Sequence, residues 1–478
     1  PAMTADGGAM RTLYARVDEK ILAALRAIAG EANVSNSAED REKYSRDEVA
    51  ELHHEPEAVV KVYSAQQVAG VMRLAQKAGF PVTPRGAGQG LSGGAVAVYG
   101  GVVMSLEKMD KIVEIDQENL MATVEPGVIT GNLHRAVEAL GLFYPPDPAS
   151  LDSCSIGGNI AENAGGPRAV KYGVTRHYVC GLEAVLPDGE IVTLGGKLVK
   201  DVTGYDLMHL LIGSEGTLAV VTKIILRLIP LPKVRVDLLV PFADFRAASR
   251  TVSEIIRNRI VPTALEFMGK DSIMAVEALT EQAVPHHEAE AHLLITLDGN
   301  DKQAVESAYE EVGEICMANG ALDVIVADSP ALRDKVWAAR RLIIEALKHR
   351  SPQKIMDTAD LVVPRARIPD LVEKIKEMSE RHRMNIVCFG HSGDGNVHVN
   401  IIKDVPEDVW LSKREQVAEE MYRIALSMGG AITGEHGIGL TRRKYLPLAL
   451  DRHQIELMRR VKLAFDPNEI LNPGKIFD

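Results

Sequence analysis

Three histidines and a glutamate crowd two glycine-framed islands late in the chain. Gly390-His-Ser-Gly-Asp-Gly-Asn-Val-His-Val-Asn400 carries His391 and His398, and Thr433-Gly-Glu-His-Gly-Ile-Gly439 carries Glu435 and His436. Neutral imidazole and carboxylate are the usual ligands of a divalent first-row ion such as zinc, manganese or iron. The spacing is not that of a zinc finger, and no Cys pair supports one. It suits an ion in a cleft, held from separate loops, with a coordination position left for substrate. One histidine near a strand is most often a hydrogen-bonded structural residue; the grouping is what marks a site.

Strands must carry these islands. Residues 385–389 read as a buried strand ending in the His391 loop. Residues 396–401 alternate Asn, His and Asn with Val, Val and Ile, as on a half-buried strand. That pattern puts His398 on the same side as Asn396 and Asn400.

A second chemical signal lies far upstream. The stretch Pro84-Arg-Gly-Ala-Gly-Gln-Gly-Leu-Ser-Gly-Gly94 follows a predicted strand. Consecutive backbone N–H groups in such a loop can converge on a phosphate. It lacks the Lys-Ser or Lys-Thr ending of a P-loop. The Rossmann fingerprint fits poorly too, because residues 100–106 read as a strand and not a helix. Residues 145–166, dense in Gly, Asn, Ser and Pro, read as a long loop wrapped around a large ligand.

The rest of the chain supplies the frame. Apolar spacing predicts a helix over 13–29. A strand at 59–62 leads to a helix capped by Ser64 and stopped by Gly79, then a strand at 80–83. Strands at 112–115 and 121–124, a helix at 131–140, a hairpin at 182–194 and a strand at 218–228 follow. Pro230-Leu-Pro232 marks a boundary. Beyond it strands and helices alternate (234–240, 244–257, 264–267, 291–297, 302–319), which predicts an α+β unit with an antiparallel sheet. Helices are expected at 334–348, 370–381 and 451–465.

Composition narrows the class. At 478 residues the chain exceeds a single core, so two or three domains are expected. A net charge of −12 and no basic patch with interleaved aromatics speak against nucleic-acid binding. No apolar run approaches the roughly 20 residues of a spanning helix. Cys154, Cys180, Cys316 and Cys388 are scattered, which points to a reducing compartment without a disulfide frame or iron–sulfur cluster. Residues 1–9 read as a tag remnant or leader ahead of Met10.

Taken in order, Arg85-Gly-Ala-Gly-Gln-Gly90, Ser155-Ile-Gly-Gly-Asn159, Gly213-Ser-Glu-Gly-Thr-Leu218, the two histidine islands and Asn472-Pro-Gly-Lys475 resemble one family. It is the vanillyl-alcohol-oxidase-type flavoproteins, in the branch of D-lactate dehydrogenase, the glycolate oxidase large subunit and D-2-hydroxyglutarate dehydrogenase. The resemblance runs over about residues 45–478. It implies an α+β fold: a two-lobed FAD-binding domain of the p-cresol methylhydroxylase type, an inserted antiparallel cap, and a C-terminal helical return to the flavin. The implied divisions are a leader and helix (1–44), FAD domain (45–232, with lobes 45–110 and 111–232), substrate cap (233–430) and returning segment (431–478).

The same resemblance implies cofactor contacts. They are Arg85, Gly86, Ala87, Gly88, Gln89, Gly90 and Ser92 at the pyrophosphate; Pro126, Gly127, Asp152, Ser153, Gly157, Gly158, Asn159, Ala161, Gly165 and Gly166 along the flavin; and Gly216, Val220 and Asn472. Relatives that bind flavin covalently use a histidine in the first glycine loop; Gln89 and its neighbours offer none, so FAD is expected to be non-covalent. His391, His398 and Glu435 are the implied metal ligands, His436 the base, and Arg340, three residues after Trp337, the carboxylate-gripping cation. Where diacid enzymes carry a lysine, the alignment places Thr358, with Lys354 displaced, which favours D-lactate first and glycolate second.

The implied activity is oxidation of a D-2-hydroxy acid by hydride transfer to flavin. Electrons would pass to an electron-transferring flavoprotein, quinone or cytochrome, from a cytoplasmic protein peripheral to a membrane complex, as a homodimer or hetero-complex. Two other classes compete: a metallohydrolase whose glycine loops are structural, and a flavin electron carrier without a substrate.

Overall fold

The computed structural model describes residues 14–327, 329–353 and 355–477. The leader before Met10, Leu13 and Lys354 lie outside the described residues.

Local signals place the first layer. Ser64 Oγ accepts the N–H of Gln67 at 3.3 Å, and Gly79 ends the helix Ala65–Ala78 at φ +79°, a conformation glycine enters without steric cost. This helix packs on a four-stranded sheet in which Ala58–Lys61 and Val82–Arg85 both run parallel to Val102–Ser105. The helix expected at 13–29 is shorter than its apolar spacing predicts. It spans Glu19–Ala29, because Asp18 caps it by accepting the Ile21 N–H at 2.8 Å. The strand expected at 80–83 sits two residues later, where Val82 pairs with Val102.

A second sheet of five antiparallel strands follows, including the predicted hairpin Val179–Val185 and Ile191–Gly195. Residues 145–166 are not all loop: Ile156–Glu162 is a helix with Ser155 as N-cap. Two glycines at its start mask the helical signal, and the cap residue was the readable cue.

The third sheet has seven strands, and every pair in it is antiparallel. One end of it runs Ala264–Gly269, Asn385–His391, Asn396–Ile402 and, at the edge, Met356–Val362; the last strand carried no sequence expectation. Val397, Val399 and Ile401 enter a core formed with Phe245–Arg257, Lys302–Ala318, Ile368–His382 and Glu407–Ser427, a helix also unassigned from sequence. Met268, Phe389 and Ile402 enter another core with Lys270–Thr280, Pro330–Arg341 and Ile343–Arg350. The strand carrying His398 is therefore buried on both faces and not half-buried as its alternation predicts. The single helix expected at 334–348 is two, broken at Leu342.

The C-terminus returns to the first sheet. After Arg452–Phe465, the Val82 N–H donates to Ile470 O at 2.9 Å and the Asn472 N–H donates to Val82 O at 2.8 Å. Lys462 ties this return down, donating to Thr217 O and Leu471 O, each at 2.8 Å.

Candidate active site

Sheet register assembles the site. Glu266 stands opposite His391, and His391 opposite Asn396; one step along, Phe389 stands opposite His398 and His398 opposite Asp360. Directly paired residues share a face of a sheet. Two imidazoles on adjacent strands are thus flanked by a carboxylate on either side. The two imidazoles do not come from separate loops as their spacing suggests: His391 ends one strand and His398 lies within the next.

The ring nitrogens converge. His391 Nε2 and His398 Nε2 are 3.3 Å apart, and Glu435 Oε1 lies 3.5 Å from the first and 3.6 Å from the second. Ligand atoms on a tetrahedral ion with bonds of ~2.0–2.1 Å are about 3.3 Å apart. The donor set fits such an ion. Asp360, His398, Glu435 and His436 also bring one ligand atom each within 4.8 Å of one another. The His391, His398 and Glu435 set is the better cradle, because both Asp360 oxygens are already engaged.

Each flanking carboxylate has a task. His391 Nδ1 donates to Glu266 Oε1 at 2.7 Å, and Arg340 Nε donates to Glu266 Oε2 at 2.9 Å. Burial works against charge on His391, yet Glu266 overrides it and holds the imidazole pKa well above its usual value. Burial and the neighbouring His391 push His398 down to about 3. Desolvation works against charge on half-buried Glu435, yet His391 draws its pKa down to about 2.

Asp360 organises the second island. Its Oδ2 accepts from Thr433 Oγ1 (2.9 Å) and from the N–H groups of Gly434 (2.8 Å), Glu435 (2.8 Å) and His436 (2.9 Å). Its Oδ1 accepts from Asn396 Nδ2 at 2.6 Å and lies 3.6 Å from His398 Nδ1. Burial alone would raise this carboxyl; His436 and His398 hold it well below the carboxylate range. The His436 ring stacks on His398 at 5.3 Å and 12°, with its Nδ1 buried and unpartnered.

A cavity of about 560 Å³ runs from Glu435 and His436 to the first glycine loop. Of the implied cofactor residues, Arg85, Gly86, Ala87, Gly88, Gln89, Gly90, Pro126, Gly157, Gly158, Asn159, Ala161, Gly216 and Val220 line it. Two of the glycines leave no room for a side chain. A β-carbon on Gly86 would sit 2.4 Å from Ser155 Oγ, and one on Gly157 would sit 2.6 Å from Pro126 Cβ. Ser155 Oγ also accepts the Ala87 N–H at 3.3 Å, so loop and helix N-terminus face the same space. Backbone donors at a helix start and a glycine loop are a fitting cradle for a pyrophosphate.

The remaining implied contacts lie elsewhere. Gly127 lines a neighbouring cavity of about 160 Å³ with Glu107 and Asn132. Asp152 pairs with Arg135 on the surface at 3.1 Å, and Ser153 Oγ donates to Gln89 Oε1 at 2.9 Å. Gly165 abuts Glu435 and Gly166 abuts Asp147. Ser92 and Asn472 are buried behind the cavity wall, Asn472 Nδ2 donating to Gly94 O and Glu215 O. Arg340 is buried against Glu266, whereas its neighbour Arg341 lines the cavity. Thr358 Oγ1 donates to Asn400 Oδ1 at 3.1 Å.

Two residues escaped the sequence reading. Glu266 is a lone acid in the apolar run Ala-Leu-Glu-Phe-Met, and a carboxylate in such a strand must have buried partners; that was the available signal. Asp360 carried a weaker one, as an acid two residues from Thr358 in a segment without a clear period.

Family models complete the picture. Residues 56–195 match an FAD binding domain, and residues 231–476 match the C-terminal domain of FAD linked oxidases. This chain belongs to the FAD-linked oxidase family. It is 41% identical to glycolate oxidase subunit GlcD of Bacillus subtilis (strain 168), over 94% of this chain and 95% of that one. It is 41% identical to a D-lactate dehydrogenase of Anaerostipes hadrus (92% and 93% covered) and 33% identical to a D-2-hydroxyglutarate dehydrogenase of Stutzerimonas stutzeri (96% and 99%). The fold matches substrate-bound p-cresol methylhydroxylase with a TM-score of 0.79 at 20% identity, covering 96% of both chains. The family is an oxidoreductase family, and the architecture is the α+β arrangement expected from the motifs. Among the described residues of this FAD-linked oxidase, no helix is long and apolar enough to cross a membrane.

Proposed function

We propose that the chain is an FAD- and divalent-metal-dependent D-2-hydroxyacid dehydrogenase acting on D-lactate, with glycolate as second choice. One observation carries this reading: Nε2 of His391, Nε2 of His398 and Oε1 of Glu435 stand 3.3–3.6 Å apart, and Glu435 also lines the glycine-loop cavity. Bound there, FAD would supply a hydride acceptor, and the ion would supply a Lewis acid that makes a substrate hydroxyl easier to ionise.

The chain's own residues would do the rest. His436 takes the hydroxyl proton; general-base action of this kind is worth on the order of 10²–10⁴ in rate. Asp360 fixes the backbone of that base from below and lends its charge to the imidazolium that forms. Arg340 has two of its nitrogens on Glu266, which leaves the third to take up the substrate carboxylate. Thr358, tied to Asn400, offers no cation at the position where diacid enzymes carry a lysine, which favours a small monocarboxylate. Glycolate and D-lactate also appear in the names of the relatives at 41% identity. Electrons would leave to an electron-transferring flavoprotein, quinone or cytochrome.

The test is anaerobic mixing of the FAD-loaded protein with D-lactate, L-lactate, glycolate and D-2-hydroxyglutarate, read at the flavin band before and after chelation. D-lactate should bleach the flavin fastest, and chelation should stop it. Bleaching by none of the acids would reject the activity, and bleaching untouched by chelation would reject the metal.

A further inference from the structure

Glu162 closes the helix Ile156–Glu162, and its side chain faces the cavity. The residue is half-buried, and its Oε2 is closed to solvent with no hydrogen-bond partner. A buried carboxyl oxygen without a partner is rare and costly, so it calls for a ligand. The carboxyl is wedged between two glycines. A β-carbon on Gly94 would meet Oε1 at 3.3 Å, and one on Gly437 would meet Oε2 at 2.2 Å. Gly437 also has φ +77°, so neither space nor backbone admits a side chain there.

Other unspent polar atoms surround it. Ser92 Oγ would lie 3.6 Å from that same β-carbon on Gly94, and Asn472 reaches Gly94 O through Nδ2 at 3.1 Å; Ser92 Oγ and Asn472 Oδ1 are both buried and unpartnered. A cavity with the Glu162 carboxyl on its wall suits a flat heterocycle whose one edge alternates N–H and C=O groups.

We propose that Glu162 is a ligand of the flavin ring, its carboxyl group donating a hydrogen bond to the ring's polar edge. The proposal rests on the FAD reading above. The proton for that bond is assigned by the neighbouring Glu215. Glu215 accepts the N–H groups of Ile438 (2.8 Å) and Gly439 (2.6 Å) on its two oxygens, so the negative charge resides there. Glu162 has no such donors. Burial first, then the Glu215 charge, push its carboxyl well above the usual range; Arg442 opposes this and Asp47 adds to it. Glu215 is itself raised by burial, with the two backbone N–H groups opposing. One proton is shared by the pair and sits on Glu162.

The experiment compares wild type, Glu162→Gln and Glu162→Ala. FAD affinity of the apoprotein is read by loss of FAD fluorescence, and the midpoint potential of the loaded protein by dye equilibration. Glutamine keeps an N–H donor, so both quantities should match wild type. Alanine should weaken FAD binding about tenfold, the size of one neutral hydrogen bond. It should also lower the potential by about 30 mV, which is tenfold for a two-electron couple, because the lost bond favours the more electron-rich reduced ring. Unchanged affinity and potential in the alanine variant, with the wild-type circular dichroism spectrum, would overturn the proposal. So would a raised potential in Glu162→Gln, the mark of a removed negative charge. A wild-type protein that takes up no FAD would sink the cofactor reading itself, whereas normal uptake with a silent alanine variant sinks this proposal alone.

Discussion

Glu266 Oε1 accepts the Nδ1 proton of His391 at 2.7 Å, and that bond fixes which ring nitrogen of His391 is left to face His398. Carboxylates in this position orient a metal-binding imidazole and raise its basicity. Glu266→Gln should therefore weaken Zn²⁺ or Mn²⁺ binding by roughly 10–100-fold, measured by calorimetric titration. It should also cost on the order of 3 kcal/mol in urea unfolding, because buried Arg340 loses its counter-charge. Binding within error of wild type would remove Glu266 from the site.

Asp360 holds the Gly434, Glu435 and His436 amides through one oxygen. Asp360→Asn keeps the shape but replaces a charged acceptor with a neutral one. Hydrogen exchange at those three amides should speed up by about tenfold, while the helix Arg452–Phe465 keeps its protection. Equal exchange in both proteins would show that the loop stands without the charge.

Gly86→Ala places a methyl group where Ser155 Oγ now sits, 2.4 Å from the added carbon. The glycine loop and the helix cap must separate, so FAD uptake should fall sharply while the far-ultraviolet spectrum is retained. Fluorescence titration of the apoprotein reads this directly, and undiminished uptake would place the pyrophosphate elsewhere.

His134 gives a pH signature away from the site. Burial first, then the nearby Arg168 charge, lower its pKa to about 4; its Nε2 lies 2.9 Å from Pro146 O. The unfolded chain binds this proton near pH 6.5 and the folded chain only near 4. The stabilising contribution is thus complete above pH 6.5 and is lost as pH falls toward 4, on the order of 3 kcal/mol. In urea unfolding of the apoprotein, His134→Gln should flatten the stability change between pH 7 and 4.5. An unaltered slope would assign the acid sensitivity to other groups.

Motifs with local rules were legible in the sequence. Ser64 and Gly79 delimit a helix by capping chemistry alone, and the two histidine islands declare themselves by residue type. What stayed hidden depends on pairing between distant strands. Glu266 meets His391, and Asp360 meets His398, only through sheet register, which no local pattern encodes. The sequence singled out Arg340, yet Arg341 is the one that lines the cavity, because neighbours on a helix point in different directions and only packing tells which is which.

Residues 433–439 have a mechanical consequence as well. One end is fastened to Asp360 on the large antiparallel sheet, and the other to Glu215 beside the glycine loops. A clam-like gape of the two halves would have to rip this short strap from one anchor or the other. Traffic into the chamber is therefore expected away from the strap, and Lys348 and Glu48, both on the cavity wall, pair there across 3.6 Å with their side chains partly in water.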